Sequence, residues 1–366
     1  MKRFILIPLL GAAILASTAS AATLNKKARR TSSSKNAAKK RKGRAAPRID
    51  PTLGDNIDGE DLVIRQAAVK ALGPVNGSVV VVDPSNGRIL TIVNQKLALQ
   101  SGFTPCSTIK LVTSVAALSE HIIEPDTKVA ITRRLKFNLT TALAKSNNQY
   151  FARLGNTLGF ERVTHYAEML GLGEKAALDI PDEQSGTIAS EPPKVGGVGL
   201  MTSFGEGFSV TPLELAALVS AIANNGTLYY LQYPRTQEEI DEFMPKVKRT
   251  LDFSDSGIPD IRVGMRGAVD YGTARRIGYD PEDPILGKTG TCTDYRASSH
   301  MGWFGSFNEV NRHQLVVVVM LTGDHRVSGP VAAGVAGNIY HNLSQQSYFA
   351  ADTNRPATGS DFASAR

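Results

Sequence analysis

The sequence predicts an α/β (α+β) fold: a five-stranded, mostly antiparallel sheet flanked by helices, with an all-helical region inserted between its strands. Three observations predict it. An apolar run at residues 79–82 is followed by the turn Asp83-Pro84-Ser85-Asn86-Gly87 and a second run from residue 88 to 93, the pattern of a central hairpin covered on both faces. Three further strand-like runs, 285–292, 301–307 and 314–321, lie near the other end of the chain. Between the two groups, apolar residues recur at helical spacing.

The 366 residues are 42% hydrophobic, enough for a substantial core. At the N-terminus, Lys2 and Arg3, an apolar segment from Phe4 to about residue 16, and Ala19-Ser20-Ala21 read as a signal peptide over 1–22. The segment is short of the roughly 20 apolar residues that span a bilayer. Positive charge just beyond it favours retention on the cytoplasmic side, so an uncleaved anchor is the second reading. Residues 23–58 form a basic linker expected to be disordered. The first 48 residues hold 13 of the 41 Lys and Arg and no acid, so the remaining 28 bases face all 34 acids. The body is therefore acidic, and the high pI does not indicate a nucleic-acid-binding fold. The linker is a solvated tether or, more sharply, a contact to an anionic surface polymer or membrane, worth about 1 kcal/mol per basic residue near the surface.

Within a domain expected over 59–345, a helix is predicted at 60–72, ended by Gly73-Pro74. After the hairpin, Ser107 opens a helix running to about residue 118. Residues 138–171 read as helical, interrupted near Ser146. Thr211-Pro212 opens a helix to residue 222 that Asn225-Gly226 stops. Helical spacing returns at 263–277, then the three strands, then a closing helix at 330–343. Residues 346–366 read as a frayed tail. The six histidines show no metal-ligand spacing.

Ser107-Thr108-Ile109-Lys110 places a hydroxyl and an amine three residues apart on one helical face. A serine is a poor nucleophile until a neighbour takes its proton, and a lysine whose pKa is lowered can do so. The same spacing at Ser32 and Lys35, in a polar basic tract, carries no meaning. What distinguishes the first pair is its downstream company: Ser146-Asn147-Asn148, then Lys288-Thr289-Gly290-Thr291. A second Ser-x-Asn at Ser306 and Asn308 follows a strand and reads as turn chemistry.

These three motifs, in this order, resemble the transpeptidase domain of penicillin-binding proteins. The runs Val79-Val80-Val81-Val82-Asp83-Pro84-Ser85-Asn86-Gly87-Arg88-Ile89-Leu90 and Gly205-Glu206-Gly207-Phe208-Ser209-Val210-Thr211-Pro212-Leu213-Glu214-Leu215 resemble its connecting segments, as do Gly272-Thr273-Ala274 and Trp303-Phe304-Gly305. The resemblance covers about residues 59–345 and implies a β-lactamase/transpeptidase-like fold. It implies an exported enzyme of the periplasm or cell-envelope exterior that acts on the D-alanyl-D-alanine stem peptides of peptidoglycan, with β-lactams as covalent inhibitors and no cofactor. By motif, Ser107 would be the nucleophile, Lys110 its base and Ser146 the proton relay. Asn148 would bind the substrate amide, Lys288 and Thr291 would meet the terminal carboxylate with Lys288 also polarising Ser146, and Thr289 and Gly290 would be substrate-binding. The backbone N–H groups of Ser107 and Thr291 would form the oxyanion hole. Two cations around one pocket lower each other's pKa, which favours a neutral Lys110. Only 106 residues precede Ser107, so a bare transpeptidase domain is expected, with carboxypeptidase activity an alternative.

Cys106 precedes the nucleophile and Cys292 follows Lys-Thr-Gly-Thr. Both positions resemble the cysteines that form a disulfide across the active site of carbapenem-hydrolysing class A β-lactamases, which implies a Cys106–Cys292 bridge in an exported protein. Two unrelated buried thiols are the alternative. A serine β-lactamase would need a second base. Glu183 and Glu191 lie in the corresponding loop, without the expected neighbouring motif, and are expected to be exposed. A β-lactam sensor or cell-wall scaffold is the non-catalytic alternative, disfavoured because every motif residue is present.

Overall fold

The computed structural model describes residues 50–350 apart from 179, 252–256, 279–282, 295–298 and 310–312. The signal peptide, most of the basic linker with Ser32 and Lys35, and the chain beyond 350 lie outside the described residues. No helix among the described residues is long and apolar enough to cross a membrane.

The sheet comprises β1 (Gly77–Val82), β2 (Ile89–Val93), β3 (Ile285–Asp294), β4 (Ser299–Asn308) and β5 (Val316–Gly323), in the order β2-β1-β5-β4-β3. Every pairing is antiparallel. The unbroken apolar runs arise because both faces are covered. Val80 and Val82 join one hydrophobic cluster, while Val79 and Val81 join the other. The hairpin is thus half central, since β1 is interior and β2 forms an edge. Ser306 and Asn308 belong to β4 rather than to a turn, and both are fully buried. The Ser306 hydroxyl donates to Val317 O and the Asn308 amide oxygen accepts from Leu315 N.

One face packs against α1 (Leu62–Leu72) and α9 (Gly329–Gln345). Asp61 caps α1 by accepting from the Val63 and Ile64 N–H groups. The other face carries the helical region: α2 (Lys110–Ser119), α3 (Leu139–Ala144), α4 (Asn148–Leu158), α5 (Phe160–Met169), α6 (Gly197–Phe204), α7 (Pro212–Ala223) and α8 (Ile258–Asp270). Every residue of α7 is buried, so this helix forms the centre of the larger core.

Three boundaries differ from the sequence reading. The helix expected at 263–277 begins at Ile258 and ends at Asp270, and a separate 3-10 turn covers Arg275–Ile277. Between them Gly272 passes so close to the Ala144 carbonyl that any side chain would collide with it. The ordered body also extends past both expected limits. Asp55, inside the expected linker, is paired with the buried Arg65 at 2.8 Å. Phe349, inside the expected tail, is 5% exposed, and the Tyr348 hydroxyl donates to Asp61 at 2.9 Å.

Candidate active site

The site is assembled where the start of α2, the turn between α3 and α4, and edge strand β3 converge. Ser107 lies in a 3-10 turn, Cys106–Ile109, that runs directly into α2. Pro105 sets the entry, Cys106 adopts a left-handed backbone (φ 53), and the Thr108 hydroxyl donates back to Pro105 O at 2.7 Å. The Trp303 indole on β4 donates to Thr104 O at 3.0 Å, fixing the approach of the turn to the sheet. Gly290 permits that approach, because a Cβ there would lie 2.9 Å from Pro105 O.

Ser146 is also left-handed (φ 51), which ends α3 and swings the chain into α4. Asn147 then caps α4 by accepting from Tyr150 N at 2.8 Å. The middle residue of the Ser-Asn-Asn motif is thus structural, while the residues on either side reach the site.

Lys110 Nζ lies 2.6 Å from Ser107 Oγ and 2.6 Å from Asn148 Oδ1, with Ser146 Oγ at 3.3 Å and Ser146 O at 3.4 Å. Lys288 Nζ donates to Ser146 Oγ and to Thr289 O, each at 2.8 Å. Ser146 therefore bridges the two amines. Both lysines are fully buried, and none of these partners is a carboxylate. Burial holds Lys110 well below the ordinary lysine pKa, and the Lys288 charge lowers it further. Burial brings Lys288 down to about 7. A neutral Lys110 that donates to Asn148 Oδ1 and Ser146 has its lone pair left for the Ser107 hydroxyl proton.

Thr289 Oγ1 lies 2.6 Å from Thr273 Oγ1, and Thr291 Oγ1 accepts from Gly329 N at 2.8 Å. Cys106 and Cys292 are joined as a disulfide, with a Cα–Cα distance of 5.5 Å and a sequence separation of 186, linking the Ser107 turn to β3. Beyond Cys292 opens a cavity of about 720 Å³, whose walls include Ile188, Leu200, Phe204, Glu206 and Thr293.

Residues 77–341 match the family described as penicillin binding protein transpeptidase domain. The chain belongs to this family of penicillin-binding protein transpeptidase domains. It is 30% identical over 312 residues to stage V sporulation protein D of Bacillus subtilis, covering 74% of this chain and 47% of that protein. It is 22% identical to peptidoglycan D,D-transpeptidase MrdA of Haemophilus influenzae, with 71% and 52% covered. The chain thus spans about half the length of these relatives. A crystal structure of Pseudomonas aeruginosa PBP2 in complex with WCK 5153 superposes with a TM-score of 0.66 at 22% identity, over 84% of this chain and 81% of that one. This likeness supports the transpeptidase-domain fold.

Within this transpeptidase domain one of the two loop carboxylates differs from expectation. Glu183 is 1% exposed rather than exposed, because its oxygens accept from the backbone N–H groups of Ala176 and Ala177. Glu191 is exposed, as expected. Two residues near these features escaped the sequence reading. Thr273 meets Thr289 through the Gly272-Thr273-Ala274 connector, whose role only the packing on Ala144 reveals. Glu214 completes a capping box with Thr211 and also accepts from the Gly173 and Gly186 N–H groups, which ties down the loop beside the cavity. Burial raises its pKa to about 7. The Thr-x-x-Glu spacing at 211–214 was the available signal.

Proposed function

We propose that this protein is a penicillin-binding serine D,D-transpeptidase that acts on the D-Ala-D-Ala ends of peptidoglycan stem peptides, on the exterior side of the cell envelope. The observation that carries this reading is the 2.6 Å approach of a fully buried, carboxylate-free Lys110 Nζ to Ser107 Oγ. Ser107 Oγ attacks the carbonyl of the penultimate D-alanine while its proton passes to Lys110 Nζ. The resulting oxyanion lies between the backbone N–H groups of Ser107 and Thr291, each worth about 3–4 kcal/mol in the transition state. Ser146, in contact with both lysines, carries the proton from Lys110 to the departing D-alanine nitrogen. The C–N bond breaks, leaving an acyl-enzyme ester on Ser107 and free D-alanine. An amine of a second stem peptide then attacks the ester carbonyl, the acyl C–Oγ bond breaks as the new amide forms, and the proton lost by the amine passes through Lys110 to Ser107 Oγ.

Protonated Lys288 and the Thr289 and Thr291 hydroxyls meet the terminal carboxylate, Asn148 meets the substrate amide, and Gly290 lets the peptide backbone approach β3. A β-lactam carries the same carboxylate beside a strained amide and acylates the same serine. The Cys106–Cys292 bridge keeps the two walls of this arrangement in register. In a β-lactamase a second base would activate water, but both Glu183 oxygens are engaged by loop N–H groups, which favours a long-lived acyl-enzyme.

The test is intact mass of the protein with penicillin over time, beside Ser107→Ala. A stable adduct on the unmodified protein alone is expected. Penicillin consumed without a lasting adduct would replace this reading with β-lactamase, and no adduct on either protein would replace it with a scaffold.

A further inference from the structure

A second concentration of positive charge adjoins the cleft. From residue 127 to residue 160 the chain carries Lys128, Arg133, Arg134, Lys136, Lys145 and Arg153 and no Asp or Glu, in a body that is otherwise acidic. All six are exposed. None is in an ion pair among the described residues, where Arg162, Lys248, Arg249 and Arg262 all are. Three of the six sit on one hairpin, made of the strands Val129–Ala130 and Lys136–Phe137 with its tip at 131–135, and Lys128 immediately precedes it. The tip adds an apolar contact, Leu135, which is 43% exposed.

The base of the hairpin stands beside the catalytic turn. Lys145 Nζ lies 5.3 Å from the centre of the Phe137 ring, and the next residue is Ser146. Ile131, at the start of the tip, is buried and its N–H donates to Leu135 O at 2.7 Å, so Arg133 and Arg134 lie at the turn of a short hairpin seated on the body. Charges of one sign along such an arm attract a polyanion, not a single small ligand.

We infer that the 128–137 hairpin is a docking arm for polymeric peptidoglycan, recognised through the free carboxylates of successive stem peptides. The inference rests on the function proposed above. Every uncleaved stem peptide ends in the carboxylate that Lys288 and Thr291 would meet, so a strand bearing many stems is itself a polyanion. One stem enters the cleft while its neighbours lie along the arm.

The test uses the full chain and the triple variant R133E/R134E/K136E, whose changes lie on exposed positions outside the acyl-transfer machinery. D-alanine release is measured from soluble uncross-linked peptidoglycan strands and from a single short D-Ala-D-Ala peptide, at several salt concentrations, with penicillin acylation in parallel. For the unmodified chain, release from the polymer should fall steeply with salt. In the variant, kcat/KM on the polymer should drop about tenfold and lose most of its salt dependence, while penicillin acylation stays the same. Polymer and penicillin rates falling together, or a polymer rate unchanged in the variant, would overturn the docking arm. So would a loss confined to strands that still bear phosphate polymers, which would assign the arm to phosphate. Absence of both D-alanine release and a penicillin adduct in the unmodified chain would be failure of the proposed function instead.

Discussion

Two lysine sites in this molecule share burial and differ in the company their amines keep. In the candidate cleft, Lys110 and Lys288 bond to hydroxyls, an amide oxygen and backbone carbonyls. On the ledge formed by residues 174–178 and 246–248, the Lys248 side chain is 6% exposed, and Glu174 lies 3.1 Å from its amine. Burial lowers the pKa of all three lysines. At Lys248 the Glu174 carboxylate opposes that effect, whereas in the cleft Lys288 adds to it at Lys110. Burial alone does not make a lysine a base. Burial with no counter-charge, and with the Lys288 charge beside it, is what the proposed base role of Lys110 rests on.

The largest break in this comparison is Lys110→Ala, for which the penicillin acylation rate should fall by about 10²–10⁴, the usual worth of a general base. Lys110→Arg should do no better, although it keeps the charge, because a guanidinium does not give up its proton near neutral pH. Stopped-flow acylation checks both variants. Substantial activity in the arginine variant would show that Lys110 acts as a charge and not as a base.

Next in size is the Cys106–Cys292 bridge, which pins the cleft side of the comparison. Replacing both cysteines by serine should lower stability by about 2–4 kcal/mol, measured by denaturant unfolding, and should slow acylation as β3 loosens from the nucleophile turn. A variant as stable and as fast as the unmodified protein would mean that the sheet and Trp303 alone hold the site.

The pH profile tests the electrostatics directly. In the proposed mechanism acylation needs Lys110 neutral and Lys288 charged. Its kcat/KM should therefore rise as pH climbs through the depressed Lys110 pKa, and fall above about 7 as Lys288 loses its proton. Lys288→Met removes a neighbouring positive charge, so the Lys110 pKa should move up. The rising limb then shifts to higher pH and the falling limb disappears, on top of a lower overall rate. A rising limb that stays in place would mean that desolvation alone sets the Lys110 pKa.

Most of this arrangement was legible in the sequence, for identifiable reasons. Strands covered on both faces announce themselves as unbroken apolar runs, so 79–82 and 316–321 stand out. The resemblance carried by the three motifs implies which of their residues approach one another. What stayed hidden depends on contacts without periodicity. The left-handed turn at Ser146 has no glycine to mark it, and the Asn147 cap is concealed within a motif read for chemistry. Glu183 carries a charge and sits in a loop, so it reads as exposed, yet backbone N–H groups of a loop folded around it bury it. Phe349 reads as tail because two aromatic residues after a helix form no pattern. Only the apolar surface left by α1 and α9 gives them a place.

The smallest effect is expected on the ledge itself, and it sharpens the comparison most. Lys248 Nζ donates to Lys175 O at 2.7 Å as well as meeting Glu174, while Arg249 also pairs with Glu174. Lys248→Met keeps the aliphatic volume and leaves Glu174 its arginine partner, but removes the hydrogen bond to the solvent-exposed Lys175 carbonyl. The expected cost is about 1 kcal/mol of stability, read from the denaturant midpoint. Penicillin acylation and its pH profile should be untouched, because the proton on Lys248 is held by a carboxylate and takes no part in transfer. A shift in the pH profile would show the two sites to be electrostatically connected, and burial without counter-charge would then no longer account for the cleft lysines on its own.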